Sequence, residues 1–340
     1  MRRAISATIK IILLIFAFSA CSKKENLSTP QKVYISVVFT PEGFCNIGYN
    51  DATLKAIETL SQKYGYSYSF SVPESIEDGM AFYNAWYNAE IDDNNRHLFI
   101  FASGIYEKYL ADAPHPLPGS GKDILIFEVE KELPYAYTFS MSYYGAAYMV
   151  ASYYLSRYDV DFQVIAANKY LSGLDYLTDG IRDATDDRSL GSVNLTYISD
   201  SPDDGLDDSE TAFVLCKHSY MEDPDYNIYI PYAGLSNLGV YRFSESNHQV
   251  VVGIDCISPD MFTYTLLCMN KMTDLALDDF IQLWINDKIP PKYTFYDLES
   301  GRVVVDNASV LEPYKKQLDE IYRQAVAKEK EYFSKRVVNE

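Results

Sequence analysis

The residues best suited to bind a small molecule lie in loops that follow apolar, strand-like segments. Four such loops carry aromatic, glycine, asparagine or acidic residues: 43–50, 103–106, 232–239 and the position of Asp255. Aromatic rings can stack on a planar ligand, glycines let backbone amides approach it, and Asp255 can accept two hydroxyl donors. Because open α/β sheets bind ligands at the carboxyl ends of their strands, we expect these loops to form one site.

Each of these features also has a purely structural interpretation. The chain contains 31 tyrosines, so a tyrosine in a loop is more often a packing residue than a stacking surface. Asn46 and Asn50 can form turns or cap the following helix, and Asp255 can cap the segment after it. The joint placement of the loops at four strand ends nevertheless favours a binding site.

Sequence signatures of catalysis and of metal binding are absent from the chain. There is no G-x-S-x-G, no P-loop, no H-E-x-x-H, and no G-x-G-x-x-G after the first strand. The four histidines are scattered, and an EF-hand loop aligned on Gly205 would need glutamate where Thr211 stands. We therefore expect no metal, no cofactor and no enzymatic activity. An exported hydrolase with catalytic residues from distant segments is the enzymatic alternative.

The charge of the chain argues against nucleic acid as a partner. Its 340 residues include 29 basic and 48 acidic ones, for a formal net charge of −19. The first twenty residues contain only basic charges, so the remainder is more acidic still. Binding to a phosphate backbone requires clustered lysine and arginine. The length and the 48% of hydrophobic residues instead favour a folded protein with one large or two medium domains.

The N-terminus has the pattern of an export signal. Residues 1–20 are a basic start followed by an apolar run that is shorter than the roughly 20 residues of a membrane span. Small residues precede Cys21, as in the bacterial lipobox, where the cysteine is acylated. We expect residues 1–20 to be a lipoprotein signal peptide, Cys21 to carry the lipid and residues 21–31 to be a tether. The protein would then face the periplasm, held to a bacterial membrane by its lipid alone.

Four further cysteines fit no zinc-binding pattern. An oxidising compartment allows disulfides, but buried free thiols are the expected state of these residues. Cys45 and Cys256 each lie beside a proposed ligand residue, so a bridge between them is a further hypothesis. The other two are Cys216 and Cys268.

Apolar segments alternate with helical patterns along the mature chain. The alternation, at a spacing of about 25 to 35 residues, is typical of βαβ units with parallel sheets. Two successive sets predict an α/β fold with two doubly wound lobes. A (β/α)₈ barrel is the alternative, because the period alone does not separate the two architectures. Later segments predict a helix at 141–158, a long helix at 262–286, and a hairpin formed by 292–296 and 302–305.

Several segments resemble the basic membrane protein family of lipoproteins, the purine-nucleoside-binding components of ABC transporters. The first loop of that family, roughly G-x-x-D-x-x-F-N, is similar to Gly43-x-x-Asn46-x-x-Tyr49-Asn50. Its V-G-[VI]-D strand end is similar to Val252-Gly-Ile-Asp255. A glycine-rich patch, a P-x-x-G-x-x-x-x-G turn and a T-S-x-x-K-x-x-D helix of the family are similar to Lys169–Asp183, Pro231–Gly239 and Leu267–Asp274.

The resemblance implies a type I periplasmic-binding-protein fold, in which two lobes joined by a hinge of three crossovers close on a ligand. The expected N-terminal lobe comprises residues 32–135 and 255–290. The expected C-terminal lobe comprises residues 136–254 and 291–340.

The resemblance also implies a set of ligand-binding residues. Tyr49 and Tyr232 would sandwich the base, and Asn46 would contact its edge. The remaining contacts to the base, the ribose or the cleft wall would come from Asn50, Ser103, Gly104, Gly234, Asp255 and Lys271. Asn46 stands where the family has aspartate, and an amide both donates and accepts hydrogen bonds. Another small aromatic or hydroxylated ligand is therefore an alternative to a purine nucleoside.

The function implied is that of a monomeric, lipid-anchored solute-binding protein that delivers a nucleoside-like molecule to an ABC permease. The ligand would bridge the lobes and stabilise the closed state by its higher affinity for that state. A ligand-responsive sensor lipoprotein of the same fold is the alternative within this architecture.

Overall fold

The computed structural model describes residues 32–44, 48–92, 94–224, 226–255 and 258–337. Helices and strands alternate over most of this length, as the sequence predicts. The strands are β1 Lys32–Val38, β2 Ser67–Ser71, β3 Asn95–Phe101, β4 Lys122–Phe127, β5 Tyr137–Met141, β6 Asp161–Ala166, β7 Val193–Tyr197, β8 Asn227–Tyr232, β9 Val250–Ile254, β10 Thr265–Lys271, β11 Tyr293–Tyr296 and β12 Val303–Asn307. The α-helices are α1 Tyr49–Tyr64, α2 Ile76–Asn88, α3 Glu107–Leu110, α4 Tyr144–Leu155, α5 Leu174–Arg188, α6 Ser209–Glu222, α7 Asn237–Asn247, α8 Thr273–Ile285 and α9 Lys315–Val337.

The strands form two six-stranded sheets. The first has the order β11-β5-β4-β3-β1-β2, and the second has the order β12-β10-β9-β8-β6-β7. The described strand pairings are parallel, apart from the antiparallel pairing of β12 with β10. Each sheet with the helices packed on it is called here the first or the second lobe. This arrangement confirms the predicted α/β fold of two doubly wound lobes and excludes the single barrel.

The apolar strand segments are buried on both faces, which is why they read as continuous apolar runs rather than alternating ones. In β1, Val37 packs into one apolar cluster, while Val38 packs into another cluster on the opposite face of the sheet. Helix α1 buries Ala56, Ile57 and Leu60 against the sheet and ends at Gly65, whose φ of 74° is left-handed. Glycine adopts that conformation without strain and so ends the helix.

The chain passes between the lobes three times. The crossovers lie at residues 142–143 between β5 and α4, at Met272 between β10 and α8, and at residues 297–302 between β11 and β12. Helix α4 is buried along its whole length and packs on α5 and α9 in the second lobe. Helix α8 packs on α1 in the first lobe.

The strand pairing corrects the predicted lobe boundaries at three strands. β5 and β11, assigned to the C-terminal lobe by the ranges 136–254 and 291–340, belong to the first sheet. β10, assigned to the N-terminal lobe by the range 255–290, belongs to the second sheet. The error has a physical cause, since a short apolar run shows neither which strand it pairs with nor whether it forms a strand or a helix.

Two predicted elements in the last third of the chain are wrong for the same reason. Residues 262–286 are not one helix, because β10 precedes α8 there. The segments 292–296 and 302–305 do not pair as a hairpin: β11 lies parallel to β5, and β12 lies antiparallel to β10 in the other sheet. The short connection between them is the third crossover, and local turn signals cannot distinguish it from a hairpin turn.

The proposed signal peptide, Cys21 and the tether lie outside the described residues, as do Asn46, Cys45 and Cys256. Within the described residues, no helix combines the length and the apolar character needed to cross a bilayer. Cys216 and Cys268 are buried free thiols, as expected.

A buried carboxylate connects two of the crossovers. Glu329 of α9 is 1% exposed and accepts hydrogen bonds from the amides of Gly145 at 3.1 Å and Leu298 at 2.9 Å. Gly145 lies just after the first crossover, and Leu298 lies within the third. Burial raises the pKa of Glu329 to about 7, although the hydrogen bonds from Leu298 and Gly145 oppose the shift.

We expect Glu329 to make the stability of the protein depend on pH. The folded state retains the proton of Glu329 up to about pH 7, whereas the unfolded chain loses it near pH 4.5. The free energy of unfolding of the wild type minus that of Glu329→Gln should therefore fall as the pH rises from about 4.5 to about 7. Urea denaturation at several pH values measures this difference.

Glu320→Gln, an exposed position on the same helix, is the matched control. Its difference from the wild type should change little over the same pH range. A difference for Glu329→Gln that is equally independent of pH would contradict the prediction.

Candidate functional site

The two lobes enclose a cavity of about 530 Å³ at the carboxyl ends of their strands. A site at these ends is expected for open parallel sheets. The first lobe supplies residues that follow β1, β3 and β4, and the second supplies residues at the ends of β6, β8, β9 and β10. The lining residues are Thr40, Glu42, Tyr49, Ser103, Gly104, Ile105, Glu107, Glu128, Glu130, Lys131, Tyr170, Leu171, Ser172, Pro202, Leu206, Tyr232, Ala233, Gly234, Asn237, Asp255 and Lys271.

Most of the predicted site residues meet in this cavity. The seven that line it are Tyr49, Ser103, Gly104, Tyr232, Gly234, Asp255 and Lys271. Asn50 lines a neighbouring cavity of about 40 Å³, which also includes Tyr49, Gly234 and Asp255 in its wall. Asn46 lies outside the described residues. The structure thus brings together residues that are more than two hundred positions apart in the sequence.

A buried ion pair crosses the cavity between the lobes. Lys271 Nζ, at the end of β10, lies 2.9 Å from Glu128 Oε2, which follows β4. The side chains are only 5% and 14% exposed. Burial lowers the pKa of Lys271, but the nearby Glu128, Tyr232 and Asp255 outweigh burial, and the pKa lies above its ordinary value. Lys271 is therefore an ammonium group, and it also lies 4.9 Å from the centre of the Tyr143 ring.

Asp255 is the second carboxylate at the centre of the wall. Burial raises its pKa, while Lys271 and a hydrogen bond from the Tyr143 hydroxyl oppose the shift. Asp255 has a φ of 48° and Glu128 has a φ of 57°, so both residues adopt the left-handed backbone conformation. This conformation is unfavourable for most residues with a side chain, aspartate adopting it more readily than others, and such residues cluster at functional sites as well as in turns. The two carboxylates are therefore held in place at some conformational cost.

The tyrosines of the wall donate hydrogen bonds within their own lobes. Tyr49 donates from its hydroxyl group to Glu128 Oε1 at 3.2 Å, and Tyr232 donates to the Ser172 carbonyl oxygen at 2.7 Å. Burial, with the neighbouring carboxylates, raises the pKa of Tyr49 and Tyr143 well above the ordinary value. Their hydroxyl groups are therefore protonated donors throughout the physiological pH range. Stacking of a ligand between Tyr49 and Tyr232 stays a prediction.

Further polar contacts join the two lobes around the mouth of the cavity. Ser172 Oγ lies 3.1 Å from both the Glu128 carbonyl oxygen and Glu130 Oε1. Tyr176 of α5 donates to Glu130 Oε2 at 2.5 Å. Each of these contacts links a residue after β4 to the second lobe. The described structure therefore has the lobes in contact around the cavity.

Three predicted residues have clear roles in supporting the wall. Asn50 donates both of its amide hydrogens, one to Thr40 Oγ1 at 2.9 Å and one to the Gly43 carbonyl oxygen at 2.8 Å. These bonds support the structural interpretation, in which Asn50 holds the loop in place. Ser103 Oγ accepts from the Ile105 amide and caps a short 3₁₀ helix. A Cβ at Gly104 would lie 2.4 Å from the Glu128 carbonyl oxygen, so only glycine fits there.

The sequence reasoning missed Glu128 and Tyr143. Glu128 directly follows β4, so a charged residue at the end of an apolar segment was a usable signal. Tyr143 lies in the first crossover, which was hidden within the predicted helix 141–158. No local pattern marks a crossover residue that contacts Asp255 and Lys271 of the wall.

The wall combines carboxylates, lysines and tyrosine hydroxyl groups. No cluster of three or more histidine, cysteine, aspartate or glutamate residues that could hold a metal ion occurs within the described part of the chain. The carboxylates accept hydrogen bonds from tyrosine and serine hydroxyl groups and pair with lysine. The wall can thus receive hydroxyl or amine donors from a ligand and stack on an aromatic body.

Comparisons with known proteins show similarity in structure. No protein family model matches the chain, and no curated protein matches it. A structure of ABC transporter solute-binding proteins from Aeropyrum pernix K1 is similar with a TM-score of 0.67 at 11% identity, over 88% of this chain and 86% of that chain. An ABC transporter solute-binding protein from Agrobacterium vitis with bound allitol has a TM-score of 0.60 at 10% identity, over 85% and 100%.

A transcriptional activator of the comK gene from Bacillus halodurans is similar with a TM-score of 0.61 at 13% identity, over 86% of this chain and 95% of that chain. Structural similarity at such low sequence identity establishes a shared fold and nothing further. The chain has the type I periplasmic-binding-protein fold, as predicted.

We expect the ion pair across the cavity to contribute to stability. Lys271→Met should lower the free energy of unfolding by about 3 kcal/mol, because Glu128 is then buried without its cation. The double variant Lys271→Met with Glu128→Gln should recover at least half of the loss, since the uncompensated charge is removed. Urea denaturation without ligand at pH 7 measures both values.

Lys108→Met is the matched control, because Lys108 pairs with Asp203 across the same lobes but both side chains are about half exposed. Its loss should be under about 1 kcal/mol. Equal losses in the single and double variants at Lys271 would show that the charge of Glu128 is not what destabilises the protein.

Proposed function

We propose that this protein is the lipid-anchored solute-binding component of an ABC transporter and captures a purine nucleoside or a similar small ligand between its lobes. The observation that supports this most is the cavity of about 530 Å³ between the strand ends of two lobes joined by three crossovers. Its volume suits a small ligand, and its wall combines aromatic rings with a few polar groups, as binding sites usually do. The resemblance of several segments to the basic membrane protein family supports a nucleoside as the ligand.

The proposed mechanism is closure of the lobes on the ligand. Tyr49 and Tyr232 stack on the base, and Asp255 accepts hydrogen bonds from the ribose hydroxyl groups. Lys271 and Asn46 complete the contacts, with Ser103, Gly104 and Gly234 in the wall. Asn50 holds the loop of Gly43 beside them. A ligand that contacts both lobes binds the closed state better than the open one and shifts the equilibrium toward closure. A permease recognises the closed form and receives the ligand.

The location and assembly belong to the same proposal. Cleavage before Cys21 and acylation of that residue attach a monomer to the membrane, with the folded part in the periplasm. The role is non-enzymatic. The absence of a catalytic sequence signature supports this view, although motifs alone do not determine activity.

A ligand-responsive sensor is the second candidate function. The similarity to the described transcriptional activator supports it, since it shows that the fold also occurs outside transport. Uptake of a radiolabelled nucleoside by cells with and without the gene distinguishes the two roles. Lost uptake in the deletion strain supports transport, and unchanged uptake together with altered transcription supports sensing.

We expect Asp255→Asn to weaken nucleoside binding by about tenfold or more, because hydrogen bonds to a charged group contribute about 1.5–3 kcal/mol. Isothermal titration calorimetry of the full chain in mild detergent, refolded to remove co-purified solute, measures the affinity for inosine, guanosine and adenosine. Asp260→Asn is the control, because Asp260 is exposed and lies outside the cavity wall. Equal affinities of a folded Asp255→Asn variant and the wild type would remove Asp255 from the site.

A further inference from the structure

We infer that the solute held in this cavity carries a positive charge, such as a protonated amine, on an otherwise neutral body. The inference rests on the proposed function, because it concerns the ligand class of the same cavity. It comes from the balance of charges in the wall and not from the resemblance to a family.

Acidic groups outnumber basic groups among the lining residues. Among the described residues, the wall contains five carboxylates and two ammonium groups, and neither arginine nor histidine lines it. The carboxylates belong to Glu42, Glu107, Glu128, Glu130 and Asp255, and the ammonium groups belong to Lys131 and Lys271. The described wall therefore holds three more acidic groups than basic groups, which is an excess of negative charge wherever these carboxyl groups are ionised.

Both lysines already have carboxylate partners. Lys131 Nζ lies 2.5 Å from Glu107 Oε1, and Lys271 Nζ lies 2.9 Å from Glu128 Oε2. Within the described residues, the remaining three carboxylates, Glu42, Glu130 and Asp255, form no ion pair. The excess of negative charge is thus not cancelled by the wall itself.

Glu42 differs from the other two because its hydrogen bonds come only from its own loop. Glu130 accepts hydrogen bonds from Tyr176 and Ser172, and Asp255 accepts one from Tyr143 and lies near Lys271. Glu42 lines both the main cavity and the smaller cavity beside it. Burial raises its pKa, while hydrogen bonds from Thr40 and from its own backbone oppose the shift. A ligand ammonium group near Glu42 would replace the solvation that burial removes.

The energetics of closure favour a cationic ligand over a neutral or anionic one. Carboxylates that lose water need a compensating charge or several hydrogen-bond donors. A protonated amine supplies both, and the faces of Tyr49 and Tyr232 attract cations as well as flat rings. A phosphate or carboxylate on the ligand would be repelled by Glu42, Glu130 and Asp255 and rejected.

The test compares matched ligands that differ in charge on two scaffolds. The nucleoside series is adenosine, 5′-amino-5′-deoxyadenosine and adenosine monophosphate, and the sugar series is glucose, glucosamine and glucose 6-phosphate. Isothermal titration calorimetry of the refolded full chain at pH 7 measures all six affinities. In the scaffold that binds, we expect the amine to bind about tenfold more tightly than the neutral compound and the phosphate not to bind detectably.

Glu42→Gln tests whether Glu42 is the residue that recognises the positive charge of the ligand. The variant should reduce the preference for the amine over the neutral compound by about threefold or more, with the neutral affinity little changed. Glu132→Gln is the matched control, since it removes the same charge from an exposed position outside the cavity wall. It should leave the preference unaltered. The wild-type order of affinities tests the inference even if Glu42→Gln fails to fold.

The outcomes separate this inference from the proposed function. A nucleoside that binds with no preference for the amine overturns the inference and leaves the proposed function standing. If glucosamine binds more tightly than glucose and no nucleoside binds, the result supports the preference for a positive charge and overturns the proposal that the ligand is a nucleoside. Tighter binding of either phosphate than of its neutral parent overturns the inference, and no binding by any of the six overturns both.

Discussion

The pairing of Lys271 with Glu128 is the contact on which the geometry of the cavity depends, because a buried ammonium group requires a negative charge beside it. Lys271 ends β10 in the second sheet, and Glu128 follows β4 in the first, so this requirement sets the distance between the lobes at the centre of the site. Glu128 takes a left-handed backbone to reach its partner, and Gly104 leaves the space that the Glu128 carbonyl needs. The pair therefore explains features of the wall that look unrelated in the sequence.

The tyrosine hydroxyl groups extend this arrangement to the crossovers. Tyr143 lies in the first crossover and donates to Asp255, and Lys271 lies beside the Tyr143 ring at the start of the second crossover. Glu329 holds amides next to the first crossover and within the third. Each of the three crossovers thus lies beside a charged or polar group.

The distribution of charge in the cavity wall is not determined by the fold. The same fold occurs in structures described as solute-binding proteins and in one described as a transcriptional activator, so the fold alone does not determine the role. Specificity depends on which groups the strand ends present. Here they present more carboxylates than cations, together with tyrosine hydroxyl groups that stay protonated. That combination is a property of the side chains and not of the topology.

The sequence by itself determined the α/β class, the division into two parallel sets and six of the cavity-lining positions, because strand periodicity and strand ends are local features. The seventh position, Lys271, came from the resemblance to a family. It did not determine the sheet to which β5, β10 and β11 belong, since short apolar runs carry no information about their partners. Tertiary structure alone placed Glu128 beside Lys271 and Tyr143 beside Asp255. Such pairs join residues over a hundred positions apart, and their energy comes from burial and charge that exist only once the lobes are assembled.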